Sequence, residues 1–301
     1  MAAGLIGGPW RSLRAWAAVC AGLSMGGLAW AVGGAGRPPV DVQVPSLDAP
    51  GGTAVVLGGH WFAAERAVPA PALVLMHGCG GANERGRLAA RYTELAARLN
   101  AMGVHALVTD SFGPRGEKQI CTQSTGQRRI TQEQRRRDAL GALAWLAAQP
   151  GVDPARTGLL GWSNGGSTVL AALNRRHREV AAAAVRPSLA VAFYPGCESE
   201  LKRGFEPTAP LLMLLGELDD WTPAAPCKDL AGAARGAAPV QWEAYPNAYH
   251  GFDGTAPLKL RLDVPNGTHP GRGVHVGAEP AARTAAAERL NRFLRESWKL
   301  D

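Results

Sequence analysis

The sequence contains little charge, since Asp, Glu, Lys and Arg make up only 19% of its 301 residues. Hydrophobic residues make up 46%, a composition that predicts a folded chain with a sizeable core and excludes a largely disordered one. An internal repeat and a heptad pattern are both absent, which argues against solenoid and coiled-coil architectures. Glycine and proline are numerous, but they are spread along the chain and form no low-complexity block.

The pattern of a nucleic-acid-binding protein is also missing, although the formal net charge is +7. Such proteins cluster basic residues with aromatic residues or carry a known motif. The densest basic cluster, at residues 128–129 and 135–137, also contains Glu133 and Asp138. This mixture favours a solvated helix face, and a basic patch that steers an acidic substrate is the alternative. We therefore expect no nucleic-acid partner.

The N-terminal segment is typical of an export signal. Arg11 and Arg14 precede an apolar run over residues 15–36, and residues 29–31 supply an A-x-A cleavage pattern. The run is long for a cleaved signal, so an uncleaved membrane anchor and a buried core helix are alternatives. We expect an exported protein, periplasmic or secreted, that contacts a membrane only if this segment remains as an anchor.

These signals divide the chain into three parts. Residues 1–36 are predicted to be the signal peptide or membrane anchor, and the proline-rich residues 37–50 a linker. Residues 51–301 form one folded domain, a length that a single large domain commonly has.

Export changes how the cysteines are interpreted. Four cysteines follow the leader, at positions 79, 121, 197 and 227. An even number in an oxidising compartment suggests disulfides. Four cysteines permit three pairings, and their spacing does not choose among them.

Strand and helix patterns alternate along the predicted domain. Continuous apolar runs at residues 72–76 and 104–108 predict strands buried on both faces. Apolar residues at helical spacing over residues 84–101 and 131–148 predict helices between the strands. The alternation predicts an α/β fold with a mostly parallel central sheet and helices on both faces. In such sheets ligands bind beyond the carboxyl ends of the strands.

The sequence Gly-Trp-Ser-Asn-Gly at residues 161–165 matches the pattern G-x-S-x-G. A serine on a tight strand-to-helix turn needs glycine on either side, because larger side chains would collide there. A predicted strand precedes the pattern and a predicted helix follows it, as this turn requires. We therefore predict Ser163 as a nucleophile, with a plain glycine-rich turn as the alternative.

A serine hydroxyl is a weak nucleophile that needs a base, and the base needs an orienting acid. Asp219 and Asp220 both follow the predicted strand at residues 211–215, and either is a candidate acid. We favour Asp219 for its spacing, G-x-x-D followed four residues later by Pro, and expect Asp220 to cap the next helix. His250 follows the next predicted strand and is the predicted base.

The sequence His-Gly-Cys-Gly-Gly at residues 77–81 follows another predicted strand and suits an oxyanion hole. Glycine lets a backbone loop approach the reacting carbonyl closely. We predict that the backbone amides of Cys79 and Asn164 are the donors, with Gly78 as an alternative to Cys79. His77 is expected to be structural.

In these segments the chain resembles the dienelactone hydrolase family, over residues 72–301. The resemblance rests on H-G-C-G-G at 77–81, D-S-F-G-P-R-G at 110–116, G-W-S-N-G-G at 161–166, F-Y-P-G-C at 193–197, G-E-L-D-D-W-T-P at 216–223 and Y-P-N-A-Y-H-G-F at 245–252. It implies an α/β-hydrolase fold and hydrolysis of esters or lactones without a cofactor. The founding enzymes have a cysteine nucleophile and a glutamate where this chain has Ser163 and His77, so the dienelactone substrate is not carried over.

The resemblance also implies roles for other residues. By its position in D-S-F-G-P-R-G, Arg115 either contacts a substrate carboxylate or pins its loop. Trp162, beside the nucleophile, is the second candidate for substrate binding. The implied disulfides are Cys79–Cys121 and Cys197–Cys227.

The sequence therefore predicts a serine hydrolase that cleaves small carboxylic esters or lactones through an acyl-enzyme. An exported peptidase, a polyester or lipid hydrolase, and a non-catalytic binding protein are the alternatives. We expect no metal, because no Cys or carboxylate completes a ligand set with His269 and His275. The oligomeric state stays open.

Overall fold

The computed structural model describes Met1, residues 38–66 and residues 69–300. The predicted export segment lies outside the described residues, apart from Met1. Within the described part of the chain, no helix combines the length and the hydrophobicity needed to cross a membrane.

Strands and helices alternate through most of the described chain. The strands are β1 (Val40–Pro45), β2 (Val56–Phe62), β3 (Ala70–Met76), β4 (Asn83–Glu84), β5 (Arg87–Leu88), β6 (His105–Asp110), β7 (Val152–Trp162), β8 (Leu189–Phe193), β9 (Leu211–Gly216), β10 (Val240–Tyr245), β11 (Lys259–Arg261) and β12 (Val274–Val276). The helices are α1 (Ala90–Ala101), α2 (Gln132–Ala147), α3 (Asn164–Leu173), α4 (Arg178–Ala182), α5 (Glu198–Arg203), α6 (Ala225–Ala233) and α7 (Pro280–Trp298).

An eight-stranded sheet is the centre of the fold, in the spatial order β1-β2-β6-β3-β7-β8-β9-β10. Strand β2 runs antiparallel to both of its neighbours, β1 and β6. The six strands from β6 to β10 in this spatial order, β3 among them, run parallel to one another. Every residue of β3 and β9 is buried, as expected for parallel strands covered on both faces. One face packs against α1 and α7, and the other packs against α2, α3 and α6. The predicted α/β-hydrolase architecture is confirmed.

The predicted linker at residues 37–50 is wrong, because it contains β1. This strand pairs with β2 in register from Val40 to Pro45 and forms the edge of the sheet. Val40, Val42 and Val44 alternate with polar residues, and only Val44 is fully buried. Such alternation is typical of a half-exposed edge strand. The surrounding prolines favour a linker instead, which is why the sequence pattern predicts the wrong element.

The helix predicted over residues 84–101 begins only at Ala90. Before it, β4 and β5 form a short hairpin that turns at Arg85 and Gly86, both with positive φ. The helix predicted over residues 131–148 is close to α2, which begins after a capping box formed by Thr131 and Gln134.

Both implied disulfides are present, Cys79–Cys121 and Cys197–Cys227. The first joins the loop after β3 to the loop after β6, and the second joins the start of α5 to α6. Each therefore fixes a loop at the carboxyl edge of the sheet, where the predicted site residues lie.

Candidate active site

Ser163 occupies a sharp turn between β7, which ends at Trp162, and α3, which begins at Asn164. Its φ is 54° and its ψ is −118°, a combination that a non-glycine residue rarely adopts and that marks strain at functional sites. A side chain at residue 165 would clash, because a Cβ built on Gly165 lies 2.0 Å from the carbonyl oxygen of Met76. The glycine therefore allows the turn to pack directly on the end of β3.

The structure brings Ser163, His250 and Asp219 together at the carboxyl ends of three strands. His250 Nε2 lies 2.8 Å from Ser163 Oγ, and His250 Nδ1 lies 2.8 Å from Asp219 Oδ2. Asp219 Oδ1 accepts hydrogen bonds of 2.8 Å from the backbone amides of Trp221 and Thr222. These two amides leave only the other carboxylate oxygen to face the imidazole. The arrangement lets His250 accept the serine proton at Nε2 while Asp219 holds its Nδ1–H.

Asp220, the other candidate acid, faces away from His250. Its carboxylate accepts from the backbone amide of His275 at 2.8 Å and contacts His275 Nδ1 at 2.7 Å. The expectation that Asp220 caps the next helix is wrong, because α6 begins later, at Ala225. Asp220 instead ties the loop before α6 to β12.

Aromatic rings enclose the imidazole of His250. The rings of Tyr194 and Trp221 each lie 4.6 Å from the ring of His250 between centroids. His250 is only 4% exposed and Asp219 4% exposed. Exclusion of water strengthens the hydrogen bond between the carboxylate and the imidazole, because the local dielectric is low.

The two residues whose amides are predicted to bind the oxyanion lie beside Ser163. Cys79 and Asn164 line the same pocket as Ser163, whereas Gly78 does not. Among the described residues, neither the Cys79 amide nor the Asn164 amide donates a hydrogen bond to a backbone or side-chain acceptor. Two unsatisfied donors next to a nucleophile suit a developing oxyanion.

The pocket beside Ser163 has a volume of about 430 Å³. Loops after β6, β8 and β9 and the loop before β12 form its walls, including Arg128, Glu198, Trp221, Asn266 and Thr268. Burial lowers the pKa of Arg128, and no carboxylate counters this. Its Nε has no hydrogen-bond partner among the described residues. Within the described residues Arg128 forms no ion pair with a carboxylate, so it places a positive charge in the pocket wall, which also contains Glu198.

The two predicted substrate-binding residues do not line this pocket. Arg115 hydrogen-bonds Asp138 at 2.9 Å, Asp48 at 2.8 Å and the carbonyl oxygen of Ser111 at 2.8 Å. Its guanidinium is thus occupied by protein groups, which favours the alternative in which it pins the loop. Trp162 is buried in the core, and its Nε1 donates to Asp253 at 2.8 Å. The expectation of substrate contact is corrected for both.

The basic cluster also departs from its predicted role as a solvated helix face. Arg135 is completely buried and Arg136 is 7% exposed, the latter bonded to Glu179. Arg135 donates to the side-chain oxygen of Asn164 and, at 2.7 Å, to the carbonyl oxygen of His77. Sequence reasoning missed this residue, because nothing in the local pattern distinguishes it from its exposed neighbours.

His77 is fully buried next to the oxyanion loop, as its predicted structural role requires. Its Nε2 accepts from the backbone amide of Ser111 at 3.1 Å, and its Nδ1 lies 2.8 Å from the carbonyl oxygen of Gly78. Burial and the positive charge of Arg135 hold the pKa of His77 well below its usual range. A neutral ring with the proton on Nδ1 satisfies both hydrogen bonds.

No group of His, Cys, Asp and Glu side chains within residues 38–66 and 69–300 is arranged to hold a metal ion. The site that the structure assembles consists of the hydrogen-bonded side chains, the free amides and the pocket described above.

Comparison with known proteins gives a consistent picture. The sequence profile of the dienelactone hydrolase family matches residues 58–297. No curated protein sequence is similar enough to match the chain. A dienelactone hydrolase-like promiscuous phosphotriesterase from metagenomic libraries has a similar structure, with 20% identity and a TM-score of 0.59, over 88% of this chain and 100% of that one.

Esterase 2 of Thermogutta terrifontis is similar over 86% of this chain and 95% of its own, with 16% identity and a TM-score of 0.56. A puromycin hydrolase is similar over 71% of this chain and 36% of its own, with 16% identity and a TM-score of 0.51. At such identities the structural likeness concerns the fold alone.

Proposed function

The chain belongs to the dienelactone hydrolase family and is a carboxylic ester hydrolase, and we propose that it acts through an acyl-enzyme on Ser163. The observation that carries the proposal is the continuous hydrogen-bonded chain from Ser163 Oγ through His250 to Asp219, with both distances 2.8 Å. These are the same three side chains that the sequence predicts.

In the proposed reaction Ser163 Oγ attacks the ester carbonyl while His250 Nε2 takes the hydroxyl proton. Asp219 accepts the hydrogen bond from His250 Nδ1 and stabilises the imidazolium that forms. The amides of Cys79 and Asn164 bind the oxyanion of the tetrahedral intermediate. His250 then protonates the leaving alcohol, and water, activated by the same imidazole, releases the acid from Ser163.

The dimensions of the pocket support a small-molecule ester or lactone as the substrate. Its volume of about 430 Å³ falls in the range of small-molecule sites, about 300–1,000 Å³. A panel of esters, lactones and amides of graded length tests this choice. Cleavage of peptides or insoluble polyesters in preference to every small ester would contradict it.

Substitution of the nucleophile tests the mechanism. Ser163→Ala should reduce kcat by about four to six orders of magnitude, because the triad acts as a unit. Ser199→Ala is the matched control, since Ser199 also lines the pocket but is exposed, whereas Ser163 is buried. A fluorophosphonate probe should label the native protein once, on Ser163. Native-like turnover by Ser163→Ala would refute the proposal.

We further propose that the protein is exported. Two disulfides support an oxidising compartment. Mass spectrometry of the protein recovered from the periplasm or medium of an expressing bacterium would give its N-terminus. Recovery in the cytoplasm alone, with the cysteines reduced, would contradict export.

A further inference from the structure

A buried cation lies beneath the proposed oxyanion hole. Arg135, on α2, has 0% exposure, and its two terminal nitrogens bond different segments of the chain. Nη1 donates to Asn164 Oδ1, at the first residue of α3, and Nη2 donates to the carbonyl oxygen of His77, in the loop after β3. One rigid guanidinium therefore joins the two segments that carry the Asn164 and Cys79 amides.

Burial of this guanidinium is costly, and both of its acceptors are uncharged, although the charge of the Asp138 carboxylate offsets part of the cost. Removal of a cation from water is unfavourable unless hydrogen bonds and charges compensate. Burial lowers the pKa of Arg135 to about 10, so the side chain still carries its charge at neutral pH. The Phe112 ring lies 5.1 Å from its Cζ, which adds a cation–π contact. For a residue so buried, a role in placing Asn164 and His77 accounts for its position.

The imidazole of His77 orients the peptide that contains the Cys79 amide, the second proposed donor of the oxyanion hole. Its Nδ1–H donates to the carbonyl oxygen of Gly78 at 2.8 Å. The Gly78 carbonyl and the Cys79 amide belong to one planar trans peptide, in which C=O and N–H point in opposite directions. A carbonyl held toward His77 therefore aims the Cys79 N–H away from that ring. Ser111 completes the support, because its amide donates to His77 Nε2 at 3.1 Å and so keeps the proton on Nδ1.

We propose that Arg135 and His77 are positioning residues that together set the spacing and direction of the Cys79 and Asn164 amides in the oxyanion hole. The inference rests on the proposed acyl-enzyme function. Neither side chain lines the pocket, so each acts through the backbone that it holds. A displacement of either amide weakens binding of the tetrahedral intermediate more than binding of the planar ester, because donor distances must match the oxyanion.

The principal test compares Arg135→Met with Arg135→Lys on a neutral ester. Arg135→Met keeps the bulk of the side chain but loses both hydrogen bonds. We expect kcat to fall about 10- to 100-fold, which is a part of the loss seen when a whole oxyanion donor is removed. KM should change less than about threefold. A trifluoromethyl ketone, which forms a tetrahedral adduct on Ser163, should lose affinity in parallel with kcat/KM. Arg135→Lys should recover part of the rate, since an ammonium reaches one of the two acceptors.

Two results would overturn the inference. One is a folded Arg135→Met enzyme with native kcat and native affinity for the ketone. The other is an equal loss of ketone affinity and of affinity for the unreactive alcohol corresponding to that ketone. The first result would leave Arg135 a role in folding alone, and the second would mean that it shapes the whole pocket and not the oxyanion hole in particular.

Asn164→Ala covers the case in which Arg135→Met does not fold. It removes the acceptor of Arg135 Nη1 and leaves the Asn164 backbone amide in place, and we expect a 5- to 20-fold fall in kcat. Native kcat in Asn164→Ala would overturn the inference. The proposed function fails separately, through activity in Ser163→Ala or absence of fluorophosphonate labelling in the native protein.

Discussion

The substitution Asp219→Asn isolates the role of the acid at almost constant shape. Asp219 Oδ1 accepts from the amides of Trp221 and Thr222, each at 2.8 Å. Because both donors need an oxygen, the asparagine carbonyl will take this place. Its NH₂ group must then face His250 Nδ1, where Asp219 Oδ2 lies at 2.8 Å in the native protein.

An amide donor at this place reverses the tautomer of His250. Nδ1 becomes the acceptor, Nε2 carries the proton, and the ring can no longer take the proton of Ser163. We expect kcat/KM for an ester to fall about 10⁴-fold, as for the equivalent change in other triads. This corresponds to about 5.4 kcal/mol of lost transition-state stabilisation.

Asp220→Asn is the matched control, because Asp220 pairs with His275 and makes no contact with His250. Its kcat/KM should stay within about threefold of the native value at pH 7. The assay is initial-rate hydrolysis of a chromogenic ester, with circular dichroism to confirm folding. A folded Asp219→Asn enzyme with native activity, or a larger loss in Asp220→Asn, would refute the assignment of the acid.

Three further predictions follow from the same structure. Arg128→Gln should lower kcat/KM about tenfold more for esters that bear a carboxylate than for neutral esters, because the positive charge of Arg128 in the pocket wall can bind an anion. Arg129→Gln, at an exposed position, is the control. An unchanged ratio of kcat/KM between the two kinds of ester would contradict the idea. The pKa of His77 is lowered by burial and by Arg135, so below about pH 6.5 the unfolded state binds the proton first and stability falls as pH falls. His77→Asn should remove up to about 1.4 kcal/mol per pH unit of this slope, measured by urea unfolding at pH 5 and 7, and an unaltered slope would contradict the buried neutral ring. The Cys79–Cys121 disulfide closes a loop with a sequence separation of 42. Its loss should lower the free energy of unfolding by about 4 kcal/mol in the chain-entropy model. Equal unfolding free energies for the native protein and the Cys79→Ser, Cys121→Ser variant would contradict this prediction.

The proposed triad was readable from the sequence because of a property of parallel sheets. Ser163, Asp219 and His250 each follow a segment that forms a parallel strand, and the carboxyl ends of parallel strands meet at one edge. Their convergence needs no knowledge of distant packing. The choice of Asp219 over Asp220 already depended on family spacing, and hydrogen bonds in the structure now separate their surroundings.

Arg115 and Trp162 illustrate what the sequence alone leaves undecided. Both lie next to segments at the active edge, but proximity along the chain does not imply proximity to the substrate. The direction of a side chain is set by its local turn and by its partners. The carboxylates that hold Arg115, Asp48 and Asp138, come from distant parts of the chain, so the motif itself contains no trace of them.

By itself, the sequence determined the alternation of strands and helices and the strained turn at Ser163. These follow from periodicity and from steric demands that act over a few residues. Only the tertiary structure decided which arginine of the basic cluster is completely buried, because the guanidinium of Arg135 is matched by Asn164 and His77, 29 and 58 residues away along the chain. Long-range partners are selected by the packing of helices on the sheet, and that packing depends on the whole chain at once.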